Sequence, residues 1–145
     1  MSNPLLINAA ELLIRPGSER IYVLRPSVSE LGVTDDARFA DDTVVQVNLR
    51  LEALTDGIVV DGRVAVDWVG TCRRCLAATC GTTDSEIHEF YQQHVTNPDS
   101  FEIVDDQVDL GAMVREVVLL DAPTTPLCRP DCAGLCPICG VDRNA

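Results

Sequence analysis

The chain has 145 residues, 46% of them hydrophobic, and a formal charge of −12 at pH 7. That length suits one domain, or one domain with a small appendage, and it can bury a core without covalent staples. The apolar share excludes wholesale disorder. The acidity weighs against direct nucleic-acid binding, which depends on basic stripes that neutralise phosphates.

Arg15, Arg20, Arg25, Arg38 and Arg50 are scattered along the chain, with no run of lysines. An acidic surface of this kind suits a basic protein partner, or solubility alone. With one Trp, two Tyr and three Phe, the core must be built mainly from Val, Leu, Ile and Ala.

The opening, MSNPLLINAAELLIRP, has no basic leader and only a short apolar patch from Leu5 to Ile7, which falls short of a signal peptide. No stretch reaches the roughly 18 apolar residues of a membrane span. The expectation is a cytoplasmic chain with no membrane contact, in which thiols stay reduced and disulfides are rare.

Ala9 to Arg15 reads as a short helical turn, stopped by Pro16-Gly17. SERIYVLRP (18–26) reads as a strand closed by Pro26, and the polar segment from Ser27 to Asp42 as a loop that can hide a short edge strand. In TVVQVNLRLEAL (43–54), Val45, Val47, Leu49, Leu51 and Ala53 alternate with polar residues, the period of a half-buried strand. Thr55-Asp56-Gly57 supplies a hairpin turn, and IVVDGRVAVDWVGT (58–71) is the return strand, with Gly62 marking a bulge or bend.

TTDSEIHEFYQQ (82–93) is a weaker third strand, followed by a polar loop over 94–106. Leu110, Met113, Val114, Val117 and Leu120 recur at helical spacing, which predicts a helix over 109–120. Asp109 is positioned to cap it, and Asp105 and Asp106 favour its N-terminus. Pro123 and Pro126 forbid its continuation.

The fold class is therefore α+β: a small antiparallel β-sheet or partly open barrel, one or two helices, and a C-terminal cysteine-rich tail. Residues 1–122 form the sheet domain, and residues 123–145 form a tail that folds back to Cys72 and Cys75.

Seven cysteines, an odd number, fit a fully disulfide-paired monomer badly. TCRRCL holds Cys72 and Cys75, and CPICG repeats the spacing at Cys136 and Cys139, with Cys128 and Cys132 just before it. A C-x-x-C turn aims both sulfurs at one centre, and two such turns supply the four thiolates of a structural zinc site.

All six cysteines are candidate ligands of Zn²⁺. Cys72 and Cys75 can join Cys136 and Cys139, or Cys128 and Cys132, or the four tail cysteines can form a local site. A pairing across the chain explains why a cysteine pair ends a strand, and spacing narrowly favours the two C-x-x-C turns. Spacing alone also admits an iron–sulfur cluster. A thioredoxin-type pair at Cys72/Cys75 is the rival reading, but no parallel βαβ pattern surrounds it. Cys80 has no partner at ligand spacing and reads as a buried small hydrophobe.

His88 and His94 match no zinc-protease spacing and read as strand or surface residues. The Asp35-Asp36 and Asp41-Asp42 pairs lack calcium-loop spacing. There is no nucleophile elbow, phosphate-cradling glycine loop or dinucleotide fingerprint. No catalytic residue and no enzymatic activity is expected.

GTCRRCL after the long hairpin, followed by DLGAMVREVVLLDAPTTPLCRPDCAGLCPICG, resembles the YceD-like family, the large ribosomal RNA subunit accumulation proteins. The shared order is a strand-borne C-x-x-C-L, an Asp-Leu-led helix with an Arg-Glu pair (Arg115, Glu116), a proline-flanked linker, and C-x-x-x-C-x-G-L-C-P-x-C-G. INAAELLIRPGSERIYV looks like that family's opening, so the resemblance spans nearly the whole chain.

The resemblance implies a bacterial cytoplasmic factor that supports 23S rRNA accumulation and large ribosomal subunit biogenesis without catalysis. Genes of the family commonly neighbour that of ribosomal protein L32. The implied partner is therefore a large-subunit precursor or a basic ribosomal protein such as L32, with indirect 23S rRNA contact as a further option and the choice between RNA and protein as the direct contact left open. Glu52, Asp67, Glu86 and Glu89 are candidates for an anionic face that shields such a protein. The competing functions are a generic zinc-stabilised adaptor and a thiol redox protein using Cys72/Cys75.

Overall fold

A computed structural model describes residues 5–96 and 98–144; Asn97, within the loop expected over 94–106, lies outside the described residues. Among the described residues the protein is mostly β-sheet with two helices. In chain order the elements are β1 (Leu6–Asn8), α1 (Ala10–Leu13), β2 (Glu19–Leu24), β3 (Gln46–Ala53), β4 (Ile58–Thr71), β5 (Ala78–Gln92), β6 (Phe101–Glu102), β7 (Gln107–Asp109) and α2 (Leu110–Asp121). Five strands form one sheet in the order β2-β3-β4-β5-β6, antiparallel except for the β5–β6 pair, while β1 and β7 make a separate two-stranded ribbon.

The alternation read from 43–54 determines which side of this sheet is covered. Val47, Leu49, Leu51 and Ala53 of β3 and Ile58, Val60, Val64 and Val66 of β4 are buried together. Against them lie Leu110, Met113, Val114 and Val118 of α2 and Leu5, Ala9 and Leu12 from the N-terminal segment. Each such aliphatic side chain contributes about 1.5–3 kcal/mol on burial, which makes α2 the lid of the core. Asp109 caps the helix by accepting the Ala112 N–H at 3.2 Å.

The other end of α2 is held by an arginine from the polar 27–42 segment. Arg38 donates to the carbonyls of Leu119 (3.1 Å) and Ala122 (2.7 Å), two acceptors that the end of a helix leaves unpaired. Asp36 orients it through a fork, at 3.0 Å on Nε and 2.7 Å on the second guanidinium nitrogen. The Arg38 carbonyl accepts the Val69 N–H, so the loop is stitched to both β4 and α2. Sequence pattern had no means of showing that this loop is structural.

Four local differences from expectation have plain causes. β1, β6 and β7 are too short to show a period; each is paired through its backbone. Gly62 causes no bulge, since the β3–β4 register runs unbroken; instead a Cβ there would lie 2.0 Å from the Asn48 carbonyl oxygen, so glycine permits close approach. The third strand begins at Ala78, four residues earlier than its pattern suggests, because β4 holds it in register as far as Thr71↔Ala78. Cys80 is exposed, not buried: it pairs with Val69 on the outer face, which no helix among the described residues covers.

Candidate metal centre

The β4–β5 hairpin is closed by residues 72–77, so the CRRC turn is a hairpin loop. Within it the Leu76 N–H donates to the Cys72 carbonyl (2.9 Å) and the Cys72 N–H to the Ala77 carbonyl (2.8 Å). Leu76 takes a left-handed φ of 63° to complete the turn. These bonds fold the loop so that Cys72 and Cys75 turn inward, and both are buried.

The tail meets this loop strand-fashion. After α2 ends at Asp121, the proline-rich linker runs back along β4, and the Arg73 N–H donates to the Pro126 carbonyl at 2.9 Å. That single bond sets Cys128 beside the loop. Arg74 donates to the Cys132 carbonyl (3.0 Å) and accepts the Leu135 N–H on its own carbonyl (3.1 Å), while Leu127 and Leu135 pack around the sulfurs. Gly134, at φ 79°, lets the chain turn away directly afterwards.

Cys72, Cys75, Cys128 and Cys132 therefore converge, with their four sulfurs all within 4.8 Å of one another. The Cys72–Cys132 and Cys75–Cys128 sulfurs are each 3.6 Å apart. Four sulfurs placed tetrahedrally at about 2.3 Å from one ion sit ~3.8 Å from each other. Those two distances are close to that value and far too long for disulfide bonds, which span about 2.05 Å. Cys136 and Cys139 are not in this group. The narrow preference for the two C-x-x-C turns is corrected here: Cys128 and Cys132 reach the loop first, and the chain bends off at Gly134 before Cys136.

The electrostatics favour an ion. The Cys75 backbone N–H, helped by those of Cys128 and Arg74, holds the Cys72 thiol down at about 5 despite its burial. The Asn144 side-chain amide, donating to the Cys132 sulfur at 3.3 Å, lowers Cys132, with the Gly134 N–H adding to the effect. The Ala77 N–H pulls Cys75 down, but burial and the adjacent Cys72 and Cys132 sulfurs leave it raised. The Cys75 thiol and burial push Cys128 up to about 12.

Cys75 and Cys128 therefore keep their protons, because four charges cannot coexist. Two thiolates 3.6 Å apart repel by about 5 kcal/mol at an effective dielectric of 20. A divalent cation removes that repulsion, and the all-sulfur donor set fits zinc or iron rather than calcium or magnesium.

Two supports were invisible in the sequence. Asn144 accepts the Ala133 N–H (2.9 Å) and an Arg129 guanidinium N–H (2.7 Å) on its side-chain oxygen while its amide faces Cys132. Arg74 lies inside the CRRC motif, but only the fold shows that it clamps the tail. His88 is exposed and bonded to Asp61 on the outer face of the sheet, and His94 follows the end of β5; neither belongs to the sulfur group.

A family model described as "Large ribosomal RNA subunit accumulation protein YceD" matches residues 60–145, which include most of β4, all of β5 and α2, and every cysteine. The chain belongs to the YceD family. Uncharacterised proteins of Mycobacterium tuberculosis (strain ATCC 25618 / H37Rv) and Mycobacterium bovis are each 33% identical to it over 150 residues, covering 97% of this chain and 72% of their own length. One from Mycobacterium leprae is 29% identical over 153 residues, covering 96% of this chain and 67% of its own length. No solved structure matches it significantly. The family match brackets the whole sulfur centre of this YceD member, from the β4–β5 loop to the tail. Among the described residues, no helix is long and apolar enough to cross a membrane.

Proposed function

We propose that this YceD-family chain supports large ribosomal subunit biogenesis and 23S rRNA accumulation as a non-enzymatic cytoplasmic factor. In this reading one zinc ion on Cys72, Cys75, Cys128 and Cys132 locks the tail to the sheet. The observation that carries it is the convergence of four sulfurs, within the family-matched span, to within 4.8 Å of one another. Four thiolates fill the coordination sphere and leave no position for a substrate, which suits a structural ion in a docking body.

The acidic surface supports a basic client, a ribosomal protein such as L32 or a large-subunit precursor. Glu52, Asp67 and Glu86 share the outer, uncovered face of the sheet, as the β3–β4–β5 register requires. Glu89 lies on the opposite face, half-buried, where burial and then the nearby Glu116 raise its carboxyl above the usual range. The docking face in this reading is therefore the outer one, without Glu89.

The test is sedimentation of the tagged full chain on sucrose gradients, with crosslinking in cells. The expected result is partial travel with large-subunit precursors, a crosslinked ribosomal protein, and a fall in 23S rRNA when the gene is removed. Migration only at the top of the gradient, with normal 23S rRNA in the deletion strain, would overturn the proposal.

A further inference from the structure

The structure repeats its metal-binding turn once more. In CPICGV the Gly140 N–H donates to the Cys136 carbonyl at 2.9 Å and the Cys136 N–H to the Val141 carbonyl at 2.8 Å. These are the same offsets, with the same lengths, as the Leu76–Cys72 and Cys72–Ala77 bonds of the CRRC loop. The residue after the second cysteine is left-handed in both turns, Leu76 at φ 63° and Gly140 at φ 76°. No atom lies within 4 Å of where a Gly140 side chain would start, so the glycine answers to backbone shape and not to crowding.

Backbone bonds of its own also hold the turn. Leu135 and Asp142 form a β-bridge across its base, and the Arg143 N–H donates to the Gly134 carbonyl at 2.9 Å. Cys136 is half-buried, Cys139 is exposed, and Ile138 at the tip is 94% exposed. Among the described residues, no third cysteine, histidine or carboxylate joins these two sulfurs at ligand spacing.

We propose that Cys136 and Cys139 form a second metal site, a two-thiolate seat for one thiophilic divalent ion whose remaining positions are open to solvent. The two sites then differ in kind. The four-thiolate cage is closed and holds its ion tightly, while the CPIC turn exchanges its ion readily because two positions are undefended. This second site follows from the repeated turn geometry and stands whether or not the first cage is loaded.

The test titrates the purified full chain with Cd²⁺, reading thiolate-to-metal absorbance and counting ions by native mass spectrometry. The expected result is two equivalents, the second at least tenfold weaker and the first to be stripped by chelator. A C136S/C139S variant keeps only the tight equivalent, and its backbone-held turn lets it fold normally by circular dichroism. A C128S/C132S variant loses the tight equivalent and keeps the weak one. A single equivalent at metal excess that survives in C136S/C139S would overturn the second site. A single equivalent that disappears in C136S/C139S would support this site and overturn the four-sulfur cage instead.

Discussion

Replacing Cys128 by serine is the sharpest probe of which sulfurs close the cage. Cys128 is the exposed member of the four, so the substitution opens no cavity in the core and its effect reads ligation directly. Its sulfur is 3.6 Å from that of Cys75, and a serine hydroxyl in its place stays protonated near neutral pH. Structural zinc in a closed site binds with roughly 10–16 kcal/mol of apparent free energy, so one ligand in four is worth about 3 kcal/mol, roughly a hundredfold in affinity.

With free zinc buffered at about 100 times the wild-type Kd, the ion stabilises the fold by about 2.7 kcal/mol, and a hundredfold weaker variant retains about 0.4 kcal/mol. For a chain of this length the loss lowers Tm by roughly 8 °C. The assay is thermal melting in a zinc buffer, followed by the fluorescence of Trp68, the chain's one tryptophan. Trp68 borders Gly70, whose other neighbour is Pro126 of the returning linker, so its emission reports tail docking. C139S, tested in parallel, moves Tm by under about 2 °C. A large drop in C139S with none in C128S would refute the assigned ligands.

Three further outcomes are expected. Arg38→Met removes the Asp36 fork and both carbonyl bonds at the end of α2, at side chains only 16% and 20% exposed; it should cost about 3 kcal/mol in urea unfolding, and a cost under about 0.5 kcal/mol would contradict the capping role. Because the Arg38 guanidinium holds the Asp36 carboxyl below its ordinary 3.8, that contribution is complete above 3.8 and fades as pH falls through the lower folded value. The gap between wild type and R38M should therefore narrow in strongly acidic solution. Gly62→Ala places a carbon 2.0 Å from the Asn48 carbonyl oxygen and forces β3 from β4, a loss of about 2–4 kcal/mol by the same unfolding assay. Filling the cage at pH 7 should release between two and three protons, since Cys75 and Cys128 are raised and Cys72, at about 5, is already ionised. Affinity then weakens as pH falls; calorimetry in buffers of different ionisation enthalpy counts the protons, and four would contradict the assigned states.

Much of the fold follows from local pattern. The alternation over 43–54 and 58–71, the turn at 55–57, and the apolar stripe from Leu110 onward correspond to β3, β4 and α2, and Asp109 caps the helix as its position suggested. These elements could be read because a period of two or of 3.6 is written in consecutive residues. Arg38 could not be read this way, since its partners Leu119 and Ala122 lie 81 and 84 positions along the chain.

The same division runs through the cysteines. Residue type and C-x-x-C spacing pointed to a soft-metal donor set and determined that six thiols are candidates for it. Spacing could not choose among them, because the turns at Cys72 and Cys136 have the same hydrogen bonds and differ only in where they sit. The choice belongs to the tertiary structure: the Arg73–Pro126 backbone bond and the Arg74 clamp bring Cys128 and Cys132 to the β4–β5 loop, and Gly134 carries Cys136 away. The sulfurs that meet lie 60 and 53 positions apart in sequence, and such convergence is a property of chain return, which local spacing does not encode.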